Sequence, residues 1–151
     1  HGFREPFIPG LSDSGGGKHR SGSENEVWSY GEEVLEICTK YLQLRERLRP
    51  YVTELMQEAH EKGTPIMRPM FYDFPDDKKA WEIEEQYMFG PNLLVAPILY
   101  ENQRERTLYL PEGTWRNIND NKEYAGNQMI TVAAPLDQLP VFAKAGTLEE
   151  L

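Results

Sequence analysis

GTPIMRPMFYDFPDDKKAWEIEEQYMFGPNLLVAPI, residues 63–98, decides how this chain is read. Two short apolar runs, residues 66–74 and 93–98, are bounded by Pro or Gly and are too short for helices of ordinary length. Both read as buried strands. Between them Phe74-Pro75-Asp76-Asp77 has the chemistry of a helix start. Proline cannot continue a ladder, and the aspartates can accept from the unpaired N–H groups of a first turn. Trp81, Ile83 or Glu84, Tyr87 and Met88 follow at near-helical spacing, and Gly90-Pro91 closes the element, so a helix is expected over residues 76–90. The pattern before this stretch is helical and the pattern after it is β. It reads as a seam between two layers or domains.

Working upstream, residues 32–63 carry an amphipathic stripe of Val34, Ile37, Cys38, Tyr41, Leu44 or Arg45, Leu48, Val52, Leu55, Met56 and Ala59. Pro50 interrupts it, which predicts either a kink or two abutting helices with proline near the first turn of the second. Gly63 is placed to cap the end. Cys38 falls on the apolar side and reads as a small buried hydrophobe. Ahead of the stripe, residues 1–29 are rich in Gly, Ser and Pro without a period and read as a long loop. Lys18, His19 and Arg20 form a small basic cluster there, either a solvated loop tip or an anion or substrate contact. Trp28 and Tyr30 are expected to pack the loop onto the body.

Downstream, short strands alternate with turn chemistry. Strands are expected at 106–110, 114–118, 123–125, 129–132 and 139–143, with turns at Pro111-Glu112-Gly113 and Asn119-Asp120-Asn121-Lys122. This spacing predicts an antiparallel sandwich or part of one.

Composition narrows the function. In 151 residues, 39% are hydrophobic and 11% aromatic, enough for a packed core. A net charge of −9 argues against a nucleic-acid or anionic-membrane partner. No apolar run approaches the roughly 20 residues that span a bilayer. A single cysteine excludes an intramolecular disulfide and fits a reducing compartment. Motifs for zinc, phosphate-loop, dinucleotide or serine-nucleophile chemistry are missing. His1, His19 and His60 do not read as a metal trio, because His60 falls where a helix C-terminus favours a cation. Asp76-Asp77 and Glu84-Glu85 read as caps and solvated faces. The residues alone assemble no complete catalytic constellation, and no cofactor or metal is expected.

Seven segments carry a family resemblance: HG (1–2), EVWSYGEE (26–33), YLQLRERLRPY (41–51), AHEKGTPIMRPMFYDFPDD (59–77), EQYMFGPNLLVAPI (85–98), YLPEGTW (109–115) and PVFAKAG (140–146). In that order and spacing the chain resembles the C-terminal part of the family 31 glycoside hydrolases, retaining α-glucosidases and α-xylosidases. The resemblance implies α/β followed by β architecture: a remnant of a (β/α)8 barrel over residues 1–90, then an incomplete proximal C-terminal β-sandwich over 91–151. Residues 32–63 would be the penultimate barrel helix, 66–74 the last barrel strand and 76–90 the closing helix. The family's nucleophile and acid–base aspartates lie upstream of the matching region, so the chain is expected to be a fragment that is inactive alone. His1 matches a histidine that binds sugar hydroxyls, and is the one substrate-binding residue carried over. The implied partner is an oligosaccharide or glycoside. The apolar face of residues 32–63 would also drive association of copies if left uncovered. An alternative is a non-catalytic carbohydrate- or protein-binding module. Trp115 and Tyr124 would be its aromatic platform, although Trp115 is better placed for a core.

Overall fold

Proline and glycine punctuation sets the helices. In the computed structural model, which describes residues 27–151, α1 spans Glu32–Arg47 and α2 spans Arg49–Lys62, with Pro50 in the first turn of α2. Of the two outcomes expected at Pro50, the structure takes the pair of helices. Gly63 caps α2 in the left-handed region at φ 71°, its N–H donating to Ala59 O at 2.9 Å. His60 falls in the last turn of α2.

The chain divides into two compact units, one reaching Glu46 and the other Arg47–Leu151. In the first, a 3₁₀ turn at Val27–Tyr30 precedes α1, whose first turn carries Glu32 and Glu33 against the positive end of the helix dipole. Val34, Leu35, Ile37, Cys38, Tyr41 and Leu44 are half-buried, so Cys38 is not the fully buried hydrophobe expected. Trp28 is 65% exposed and Tyr30 57%; the loop they were expected to pack lies outside the described residues.

The second unit is built on antiparallel strands: β1 (Met67–Pro69), β2 (Tyr87–Phe89), β3 (Leu93–Val95), β4 (Glu105–Leu110), β5 (Thr114–Asn117), β6 (Glu123–Ala125), β7 (Gln128–Ala133) and β8 (Val141–Lys144). A six-stranded sheet runs β1-β2-β3-β8-β5-β6, and β4 pairs with β7 as a separate two-stranded sheet. The centre of the large sheet alternates between two cores, as a pleat with period two requires. Leu93, Val95, Val141 and Ala143 pack with Tyr51 and Leu55 of α2. Leu94 and Phe142 point the other way and join Met88, Trp115, Leu108, Leu110 and Val132, the last three from the small sheet. The unit is therefore three layers: helix, large sheet, small sheet.

Two expectations at the seam fail. Residues 66–74 are not one strand; β1 stops at Pro69 and a single helical turn, α3 (Met70–Asp73), follows. The helix expected over 76–90 is absent. Asp77 caps a 3₁₀ turn at Lys78–Trp81, its carboxylate accepting from Lys79 N at 2.9 Å, and the chain then straightens into β2. Pairing decides it: Tyr87, Met88 and Phe89 lie opposite Val95, Leu94 and Leu93, burying Met88 completely. A helix there would give up that ladder. The large sheet takes strands from both sides of Gly90-Pro91.

Gly90 turns β2 into β3 at φ 63°, and its N–H donates to Ile66 O at 2.7 Å. A Cβ there would collide with the Tyr51 hydroxyl and approach the Leu55 methyls to 2.7 and 2.8 Å. Gly63 has a similar φ with open space around it. We expect Gly90→Ala to destabilise the fold by about 2–4 kcal/mol, summing left-handed strain and overpacking, and Gly63→Ala by about 1 kcal/mol. Urea denaturation of the two variants side by side checks this; equal costs would refute the steric account.

Candidate functional site

Buried polar side chains cluster where the seam meets β4. Gln86, 5% exposed, turns its amide onto the backbone of Tyr109: Nε2 donates to Tyr109 O at 2.6 Å and Oε1 accepts from Tyr109 N at 2.8 Å. Both backbone groups of Tyr109 face away from β7, and the carboxamide satisfies them as a third strand would. The Tyr109 phenol then donates to Asp77 Oδ2 at 2.7 Å. Burial, and behind it the hydrogen bond to the Asp77 carboxylate, pushes that phenol up to about 12.

Two buried guanidiniums flank this network. Arg68 on β1 donates from Nε to Pro65 O at 2.8 Å and from a terminal nitrogen to Asp73 Oδ1 at 2.8 Å, and it lies 5.1 Å over the Tyr72 ring. Arg106 on β4 grips Glu85 twice, at the carboxylate (2.9 Å) and at the backbone carbonyl (2.6 Å). On α2, Tyr51 donates to Phe89 O at 2.9 Å and accepts from Asn92 N at 3.1 Å; burial pushes its phenol up. These contacts tie elements together.

A cleft of about 400 Å³ is lined by Asp73, Phe74, Pro75, Asp76, Asp77, Lys78, Glu112 and Asn127. Two of its four carboxylates are committed to structural contacts. Asp77 already accepts from Tyr109 and Lys79, and Asp73 is paired with Arg68. Carboxylates so engaged cap and brace; they are not poised to donate and retrieve a proton. Among the described residues, no group of three or more His, Cys, Asp or Glu could hold a metal ion.

His1, the substrate-binding candidate, lies outside the described residues, as do Lys18, His19 and Arg20. Trp115 is wholly buried, its indole N–H donating to Pro111 O at 2.9 Å, and Tyr124 is half-buried edge-on against Phe142. Neither is a platform for a ligand. Sequence reasoning missed Gln86, Arg68 and Arg106, since a buried polar role needs tertiary neighbours to be seen. It also placed Trp81 on a helix face, whereas Trp81 ends the 3₁₀ turn and is 58% exposed.

The family model described as the glycosyl hydrolase family 31 C-terminal domain matches residues 63–148. The chain is 36% identical over 122 residues to alpha-glucosidase 2 of Bacillus thermoamyloliquefaciens, an alignment covering 81% of this chain and 16% of that protein. Among solved structures it is similar to a GH31 alpha-xylosidase from a soil metagenome complexed with xylose: TM-score 0.83, 44% identity, 94% of this chain and 22% of that one. It is also similar to a Flavobacterium johnsoniae GH31 dextranase complexed with isomaltotriose: TM-score 0.78, 40% identity, 81% of this chain and 15% of that one. The chain thus spans about one sixth to one fifth of the length of these relatives.

Two measurements test the polar network. Gln86→Leu removes both partners of the Tyr109 backbone and is expected to cost about 2–4 kcal/mol, read by chemical denaturation, because orphaned buried groups cost more than a bond contributes. For Tyr109 the folded value near 12 lies above the ordinary phenol value of about 10. Its stabilisation is therefore complete below about pH 10 and is lost as pH rises toward 12. Ultraviolet titration of tyrosinate should show a late step that Tyr109→Phe removes.

Proposed function

The chain belongs to glycosyl hydrolase family 31 through that family's C-terminal domain, and from this premise we propose that it is the C-terminal part of a retaining α-glycosidase. Its whole protein would release terminal α-linked glucose or xylose from oligosaccharides. The observation that carries this is the family match over residues 63–148, which takes in the strands of the second unit. The names of the relatives supply glucosidase, xylosidase and dextranase activities on carbohydrate, and the substrate class is inferred from them.

Retaining hydrolysis needs two carboxyl groups on opposite sides of one glycosidic bond, about 5 Å apart, one as nucleophile and one as acid then base. In the cleft of the second unit, Asp77 is engaged by Tyr109 and Lys79 and Asp73 by Arg68. We place the catalytic aspartates upstream of the region matched here. On this reading the helices ahead of Gly63 belong to the end of a (β/α)8 barrel, and the antiparallel sheets form the domain that follows it. Barrel active sites sit on the loops after the strands. His1 would contribute there, holding sugar hydroxyls through its imidazole nitrogens. The half-buried stripe of α1 would pack against neighbouring barrel elements, and in the chain alone it would draw two copies together.

The purified chain is expected to show no release of nitrophenol from nitrophenyl α-glucoside or α-xyloside, and turnover above the buffer rate would overturn the upstream placement of the aspartates. Light scattering on the same sample is expected to show self-association. A clean monomer at all concentrations would sink the claim about the α1 stripe.

A further inference from the structure

Trp81 is a large aromatic side chain that the fold has fixed in place without burying. Its indole stacks on Phe71 with ring centroids 4.4 Å apart and planes 11° from parallel, and its N–H donates to Pro75 O at 2.8 Å. The residue before it, Ala80, is fully buried, and Asp77 pins the start of the turn through Lys79 N and the Tyr109 hydroxyl. One face and one edge of the ring are thus engaged, yet 58% of the residue remains exposed. With one face stacked on Phe71, the opposite face is the side left for a ligand.

A rotamer held by a stack, a hydrogen bond and a capped turn loses little freedom when something settles on its open side. The electron-rich face of an indole attracts weakly positive C–H edges, and the apolar face of a pyranose ring presents a flat row of them. The ring polarity and a chain charge of −9 both disfavour an anionic ligand, whereas a neutral sugar pays no such penalty. Here one flat aromatic surface stands out from the turn, matched to one flat ring.

We propose that Trp81, backed by Phe71, is a non-catalytic subsite that stacks one pyranose ring of an α-linked oligosaccharide. The choice of ligand class rests on the glycosidase reading, while the platform rests on the geometry alone. The subsite would hold part of a long substrate away from the reacting bond and so raise its local concentration.

The test is a titration of the isotope-labelled chain with isomaltotriose, following the indole N–H resonances of its three tryptophans. The Trp81 signal is expected to shift and saturate at millimolar sugar, while that of buried Trp115 stays in place. Trp81→Ala, followed by the backbone amide resonances of residues 78–82, is expected to weaken binding by at least tenfold with the Trp115 signal unchanged, which shows that the core is intact. If the Trp81 resonance does not move in the unmutated chain, or moves with protein rather than sugar concentration, the proposal fails. The second result would assign the face to another copy of the chain. Because the readout is binding without turnover, a failed subsite leaves the glycosidase reading standing. Catalysis by the chain alone would overturn the upstream aspartates without touching the subsite.

Discussion

Leu93, Leu94 and Val95 are buried on both faces of one strand, and the layers of the second unit are placed by that fact. A strand wet on one side would alternate apolar and polar residues, but this one is continuously apolar, so it demands a cover above and another below. Its neighbour β8 repeats the pattern with Val141, Phe142 and Ala143. One cover is α2, through Tyr51 and Leu55, and the other is the small sheet, through Leu108, Leu110 and Val132. Gly90 lets the helix approach because it has no Cβ to meet the Tyr51 hydroxyl.

Short strands leave many backbone groups unpaired, and the structure answers with side chains. Gln86 serves Tyr109 as a strand residue would, and Trp115 closes the Pro111 carbonyl. Asn117 accepts from Asn119 N at 3.0 Å and Asp120 from Lys122 N at 3.0 Å, which shapes the turn between β5 and β6. Asn121, at φ 59°, supplies the left-handed step that its side chain tolerates. A strand of three residues contributes few ladder bonds, so these side-chain bonds hold the register.

The β region was legible because alternation and turn residues act locally. The expected strands at 106–110, 123–125 and 129–132 match β4, β6 and β7 to within a residue at each end. The helix over 76–90 misled for a physical reason. Trp81, Tyr87 and Met88 recur at a spacing that fits a helix, yet Met88 is held by pairing with Leu94, six positions along the chain, and local period carries no trace of that partner. The same holds for the candidate site. Asp77 reads correctly as a cap from its neighbours alone, whereas the roles of Gln86 and Arg106 appear only once β4 lies beside them. Trp115 was separable from an exposed platform by its strand position; Trp81 was not, because its exposure follows from a turn the pattern concealed.

Glycoside chemistry places opposite demands on carboxylates and aromatics, and the second unit treats the two differently. A catalytic carboxylate must keep a lone pair or a proton free for the sugar. Here Asp73 and Glu85 are held by arginines and Asp77 by a phenol and a backbone N–H. The Glu85–Arg106 and Asp77–Tyr109 contacts tie the seam to β4. An aromatic contact with a sugar needs only a flat surface in a fixed orientation. The Asp77 contacts also fix the turn carrying Trp81. The same local bonds that engage Asp77 therefore hold the turn that presents the ring.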